Sequence, residues 1–217
     1  MTVTGAPEPD LERVADAQRR FVAVVAELDD ADLRHPSLLP GWRRAHVVAH
    51  VARNADSHRR RADAARRGEI IDQYPGGFAG RAAEIEQISG CGRAELLDDL
   101  VNSATQLRAA WRAVPPGAWA TISRDVSGTE RALRELPARR WQELEVHVVD
   151  LDAGVTPRDW PADFVQAWLP VWRGTVASRL PAGAAAPPPR TLEDRDELAW
   201  LYGRLHRPDL PELAPWG

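Results

Sequence analysis

The sequence predicts a mainly α protein, a four-helix bundle followed by a short C-terminal α(+β) extension. Three observations carry that prediction. Four long stretches place apolar residues at helical spacing, none shows clear strand alternation, and proline or glycine punctuates the chain between them. In the first stretch Asp10 is the expected N-cap, with Leu11, Val14, Ala17, Phe21, Val24, Val25 and Leu28 recurring behind it. It should end before His35-Pro36, because proline disfavours helical geometry in the preceding residue. Leu39-Pro40-Gly41 then introduces a second helix from about Trp42 to Arg67, with Val47, Val48, Val51 and Ala55 as its apolar face. After Tyr74-Pro75-Gly76-Gly77 a short helix is expected around Arg81 to Ile88. A third long one carries Leu96, Leu97, Leu100, Ala104, Leu107 and Trp111. Val114-Pro115-Pro116-Gly117 ends it, and Trp119 to Val126 reads as extended. The fourth long helix runs from about Pro137 to Asp152.

Beyond Gly154 the texture changes. Trp160, Trp168 and Trp172 precede an Ala/Pro tract from Ala182 to Pro189 that resembles a linker. A last helix carries Leu192, Leu198 and Leu201 before a proline-rich tail. The expected division is a bundle over residues 1–155 and a shortened extension over residues 156–217.

Bulk composition narrows the function. The 217 residues are 44% hydrophobic and 28% charged, enough for a packed core and a soluble surface. A formal charge of −4 argues against bulk nucleic-acid binding, and no apolar run approaches the ~18 residues of a membrane span. The first residues lack the basic flank and apolar run of a secretion signal. The single Cys91 has no intramolecular partner, so a reducing cytoplasm is expected, as monomer or homodimer. All 28 of the Lys+Arg residues are arginine, which with abundant Ala and Pro reads as the codon bias of a GC-rich genome.

The fourth helix carries the chemistry. Trp141, Leu144, Val148 and Leu151 form its apolar stripe, and Glu143 and His147 sit one turn apart on one flank of it. A carboxylate and an imidazole at i and i+4 can converge on one cation. On the second helix His50 flanks the Val47/Val51 face in the same way, and inward-leaning ligands of facing helices meet in a bundle core. Two nitrogens and one oxygen make an open zinc site, leaving a position for water or a thiol. His46, one turn before His50, is read as a surface residue, as are His35, His58 and His206. Glu145 should be solvated. Cys91 reads as a small packed thiol, the run Arg59-Arg60-Arg61 with Arg66-Arg67 as a solvated helix face, and the tryptophans as core.

The chain resembles the mycothiol-dependent maleylpyruvate isomerase branch of the DinB-like metalloenzymes. The resemblance is carried by Leu39-Pro40-Gly41-Trp42, then His46-Val47-Val48-Ala49-His50-Val51-Ala52-Arg53-Asn54-Ala55, then Tyr74-Pro75-Gly76-Gly77 and Arg81. It continues through Glu143-Leu144-Glu145-Val146-His147-Val148-Val149-Asp150-Leu151 to Ala199-Trp200-Leu201-Tyr202-Gly203-Arg204 and the closing Leu210-Pro211-Glu212-Leu213-Ala214-Pro215-Trp216. It implies a DinB-like bundle holding zinc through His50, Glu143 and His147, with Arg204 near the substrate carboxylates. It further implies mycothiol as the thiol, an electrophilic small-molecule substrate, and a cis-trans isomerisation of the maleylpyruvate type. A mycothiol S-transferase, a zinc hydrolase and a non-catalytic metal-containing bundle are the other functions open to such a site.

Overall fold

A computed structural model describes residues 5–183 and 192–215. The chain divides into two compact units, Met1–Leu151 and Asp152–Gly217. Most of the expected linker tract, Thr191 and the closing Trp216 lie outside the described residues.

The first unit is built on four long helices: α1 (Glu8–Ala26), α3 (Arg44–Arg66), α5 (Arg93–Arg112) and α6 (Leu136–Asp150). Two shorter ones, α2 (Asp30–Arg34) and α4 (Gly77–Ser89), interrupt their succession. The bundle expected from the periodicity is present, with three local differences. The first stretch is two helices rather than one. Asp29 accepts the backbone N–H groups of Ala31 and Asp32, while the Asp32 carboxylate accepts the N–H of Asp29. That reciprocal cap starts α2 afresh, and α1 has already ended at Ala26. At its other end α1 begins at Glu8, so Asp10 stands in the first turn, paired with Arg13, instead of capping. The segment expected to be extended starts as a 3₁₀ turn over Pro116–Ala120. It then forms the short strand β1 (Ile122–Arg124), antiparallel to β2 (Glu130–Ala132).

Helix α3 is the centre of this unit. It packs against α4, α5 and α6, and α1 packs against α6 and α5. With neighbours on several sides, α3 buries polar residues along with Val47, Val48, Val51 and Ala55: His46, Asn54, Ser57, His58 and Arg61 are all buried. Three expectations are overturned here. His46 and His58 are not surface residues, and Arg61 leaves the solvated face on which Arg66 and Arg67 remain. The reason is tertiary: α4 and α5 cover faces that periodicity alone leaves open. His35 and His206 are exposed, as expected, and Cys91 is half-buried.

Glu145 is a fourth correction. It is 2% exposed because α1 covers its side of α6. Its carboxylate takes an ion pair from Arg20 and accepts the Trp141 indole N–H at 3.0 Å.

The second unit contains α7 (Ala162–Arg173), the one-turn α8 (Val176–Arg179) and α9 (Asp194–Leu201). Its core is aromatic: Trp160, Phe164 and Tyr202 pack with ring centroids 5.6 to 6.3 Å apart, and the Trp172 indole donates to the Tyr202 hydroxyl at 2.8 Å. Among its described residues this unit has helices and turns, so the β structure of the chain lies in the β1–β2 hairpin of the first unit. Six of the eight described tryptophans are buried, as expected of core residues.

Candidate metal centre

His50 lies a turn and a half into α3, and Glu143 and His147 occupy successive turns of α6. The facing of α3 and α6 turns all three inward. His50 Nε2 is 3.0 Å from Glu143 Oε2 and 3.1 Å from His147 Nε2, and His147 Nε2 is 3.2 Å from the same carboxylate oxygen. One atom of each residue thus stands at a corner of a nearly equilateral triangle. A divalent ion at about 2.1 Å from each ligand needs edges of about 3.0 Å in octahedral and about 3.4 Å in tetrahedral coordination. The observed edges fall between these, so the donor set fits a first-row divalent ion without rearrangement. Among the described residues no other group of three His, Cys, Asp or Glu side chains gathers in this way.

Burial is graded across the cluster. The side chains of His50 and His147 are 4% and 8% exposed, whereas Glu143 is 25% exposed, so solvent reaches the cluster at the carboxylate. An ion held by these three ligands would keep further positions for a water or a thiol.

The surroundings set the protonation states. Asp150, fully buried, takes the His147 Nδ1–H at 2.8 Å and so leaves the Nε2 lone pair aimed at the centre. Burial works against a charged His147, but the hydrogen bonds to Asp150 and Glu143 outweigh it and raise its pKa. For His50 burial dominates and lowers the pKa to about 4, against the pull of Glu143. Burial would raise Glu143, yet its bonds to His147 and His50 hold it well below the usual carboxylate range. At neutral pH the cluster therefore offers a carboxylate and a neutral imidazole, with a second imidazole that keeps its proton more tightly than usual.

A cation stands beside the triangle. Arg81, on α4, places Nη2 3.2 Å from Nδ1 and 3.5 Å from Nε2 of His50. An atom nearly equidistant from both ring nitrogens lies over the ring face, because an in-plane position would overlap the carbon between them. The same guanidinium lies over the Trp42 ring, 5.7 Å from its centroid, and no carboxylate of the described residues reaches it. His46 ties α4 to α3. Its Nδ1 accepts the Arg43 N–H at 3.2 Å, which leaves Nε2 to donate to Glu86 at 3.1 Å.

The structure thus brings His50, Glu143 and His147 together. Arg204 belongs to the second unit, where its backbone N–H donates to Ala199 at 2.7 Å and Nη1 to the Tyr202 carbonyl at 2.5 Å. Sequence reasoning missed the part played by Asp150, although its i+3 spacing from His147 was a usable signal. It gave Arg81 no role, because nothing in the sequence ties that residue to His50. It misread His46, whose partner lies 40 residues away.

Fold and cluster together define a class: a helical bundle with a two-histidine, one-carboxylate metal-ligand set between two of its long helices. Residues 14–152 match the family model of the mycothiol maleylpyruvate isomerase N-terminal domain, well over half of the chain. The protein belongs to that family, whose members are enzymes. Its fold is similar to the crystal structure of the mycothiol-dependent maleylpyruvate isomerase, with a TM-score of 0.84 and 22% identity over 100% of both chains. The structure of a histidine-to-alanine mutant of that enzyme gives the same figures. No curated protein matches the chain.

Proposed function

We propose that the protein is a zinc-dependent, mycothiol-using cytoplasmic enzyme that isomerises a maleylpyruvate-type substrate from cis to trans. The observation that carries this reading is the triangle of His50, Glu143 and His147, partly exposed at Glu143, in a chain of this family. His50, Glu143 and His147 would hold the ion. When bound, zinc would supply Lewis acidity, lowering the pKa of a thiol and polarising a carbonyl oxygen.

The remaining work falls to side chains. Asp150 fixes the tautomer of His147 and keeps its Nε2 free for the ion. Arg81, with no carboxylate partner and held over Trp42 and His50, is available to a substrate carboxylate or a thiolate. Arg204 is the second carboxylate anchor that the resemblance implies. The substrate's cis double bond accepts the thiolate and becomes a single bond, about which the adduct rotates. Departure of the same thiol restores the double bond in the trans form. No electrons are gained or lost, and the thiol is returned.

Elemental analysis of wild type and His147→Ala tests the metal. About one zinc per chain is expected in the first and loss of most of it in the second. Maleylpyruvate turnover is then followed with and without mycothiol. Turnover that needs the thiol without consuming it supports isomerisation. Stoichiometric thiol loss identifies a transferase, and turnover without thiol identifies a hydrolase. A wild type that holds no zinc after reloading defeats the proposal.

A further inference from the structure

A second concavity lies in the first unit, apart from the metal centre. It occupies about 940 Å³ between α1 and α5, and none of His50, Glu143 and His147 lines it. Its size is at the upper end of the range of about 300 to 1,000 Å³ for small-molecule pockets. Leu11 and Val22 of α1 face Val101 and Leu107 of α5 across it, with Trp111 and Trp119 deeper in. Val101 is 41% exposed, an unusual position for a valine on a bundle helix unless something covers it.

The polar groups of this cavity are one-sided. Gln18, Trp111 and Arg140 line it, and each keeps a buried nitrogen with no acceptor: Nε2, Nε1 and Nε respectively. No lining residue has a buried side-chain acceptor in want of a donor. Arg140 is 0% exposed, and its other nitrogens bond only to neutral oxygens, those of Val51, Asn54 and Gln18 at 2.7 to 2.9 Å. No carboxylate of the described residues lies within ion-pair distance of it, and burial pulls its pKa down to about 10. A buried cation without a bonded counter-ion is costly. At the mouth, Arg108 and Arg112 of α5 are exposed and have no acidic partner among the described residues either. Glu8 and Glu12 on the α1 side leave the lining with an excess of positive charge.

We propose that the α1–α5 cavity is a binding site for a small amphipathic carboxylic acid, its hydrocarbon body between the two helices and its carboxylate toward the unmatched arginines. The apolar walls suit the body, and an acceptor head suits a lining with more arginines than glutamates, whose unmet buried side-chain groups are all donors. None of the candidate metal ligands lines this site, and the inference does not rest on the reaction proposed there.

Calorimetric titration of the zinc-loaded protein with laurate, and with dodecyltrimethylammonium as the same chain of opposite charge, tests it. One laurate per chain is expected, bound at least about tenfold more tightly than the cation. Ala104→Trp fills the cavity from α5. It should weaken laurate by about tenfold or more while leaving the zinc content unchanged. Arg140→Gln should bring laurate and the cation to similar affinity. Equal binding of the two chains by wild type, or laurate binding undiminished in Ala104→Trp, would overturn the assignment. So would a wild type that self-associates in sedimentation while Ala104→Trp stays monomeric, since a second copy would then cover the groove.

Discussion

At the scale of single residues, the protein separates groups that hold a metal from groups that prepare them. Asp150 touches no ligand position, yet it decides which nitrogen of His147 faces the centre. Asp150→Asn offers that nitrogen an ambiguous partner. Zinc affinity is therefore expected to fall by roughly 10- to 100-fold, measured by competition with a chelator. Unchanged affinity would show that the tautomer is fixed elsewhere. The pKa shifts carry a pH dependence. His50, lowered to about 4, is already neutral near pH 7, whereas His147, raised, must lose its proton to bind. Metal uptake is then expected to release up to one proton per ion, from His147 alone, and affinity to fall up to about tenfold per pH unit below the His147 pKa. Titrating zinc in weakly buffered solution with a pH indicator counts the protons, and a count near two would contradict the assignment. Without metal the signs differ between groups. His50 and Glu143 have folded values below their unfolded ones, so they contribute stability that is lost as pH falls, from 6.5 downward for His50 and from 4.5 downward for Glu143. His147 acts the other way, its contribution being lost as pH rises above 6.5 through its raised value.

At the scale of elements, α4 is the piece whose placement matters most for the site, because it carries Arg81. Its first turn is pinned by a close approach: a Cβ on Gly80 would lie 1.8 Å from the Pro75 carbonyl oxygen. Backbone cannot yield as a side-chain tip can, so Gly80→Ala must shift the start of α4, at a cost of roughly 1–3 kcal/mol. Arg81 moves with it. The expected result is a loss of turnover with zinc content retained, and wild-type turnover in a folded variant would remove Arg81 from the mechanism. The helices themselves were largely legible in sequence. Apolar spacing in Leu96, Leu100, Leu107 and Trp111, for instance, follows directly from packing of one helix face into the bundle. What was illegible is the outer face of a helix with several neighbours. His58 and Glu145 read as solvated because polar residues usually are. Each is buried here by an element distant in sequence, His58 against Trp111 of α5 and Glu145 against Arg20 of α1.

At the scale of the whole molecule, the two compact units divide the candidate chemistry. All three candidate ligands, Asp150 and Arg81 fall within Met1–Leu151, and the family match ends at residue 152, beside that boundary. A protein of residues 1–151 is therefore expected to take up about one zinc per chain and to gain thermal stability from it. The gain should be about 4 kcal/mol at a free concentration a thousand times the Kd. A fragment that folds but stays empty would mean that the second unit supplies something to the metal centre. The same fragment should be impaired in turnover if Arg204 anchors the substrate.

By itself the sequence determined the helices, because apolar periodicity reports which face of each helix must leave water. It determined the candidate ligands too, since Glu143 and His147 share a flank at any i, i+4 spacing and His50 flanks the apolar face of its own helix. Only the tertiary structure decided that the three atoms meet within 3.2 Å. It also set Arg81 over His50, tied His46 to Glu86, and left Arg140 buried beside an apolar cavity with no ion pair among the described residues. The physical reason is the same in each case. Local sequence fixes the direction of a side chain about its own helix, whereas burial, charge balance and contact distance depend on which other helix arrives there.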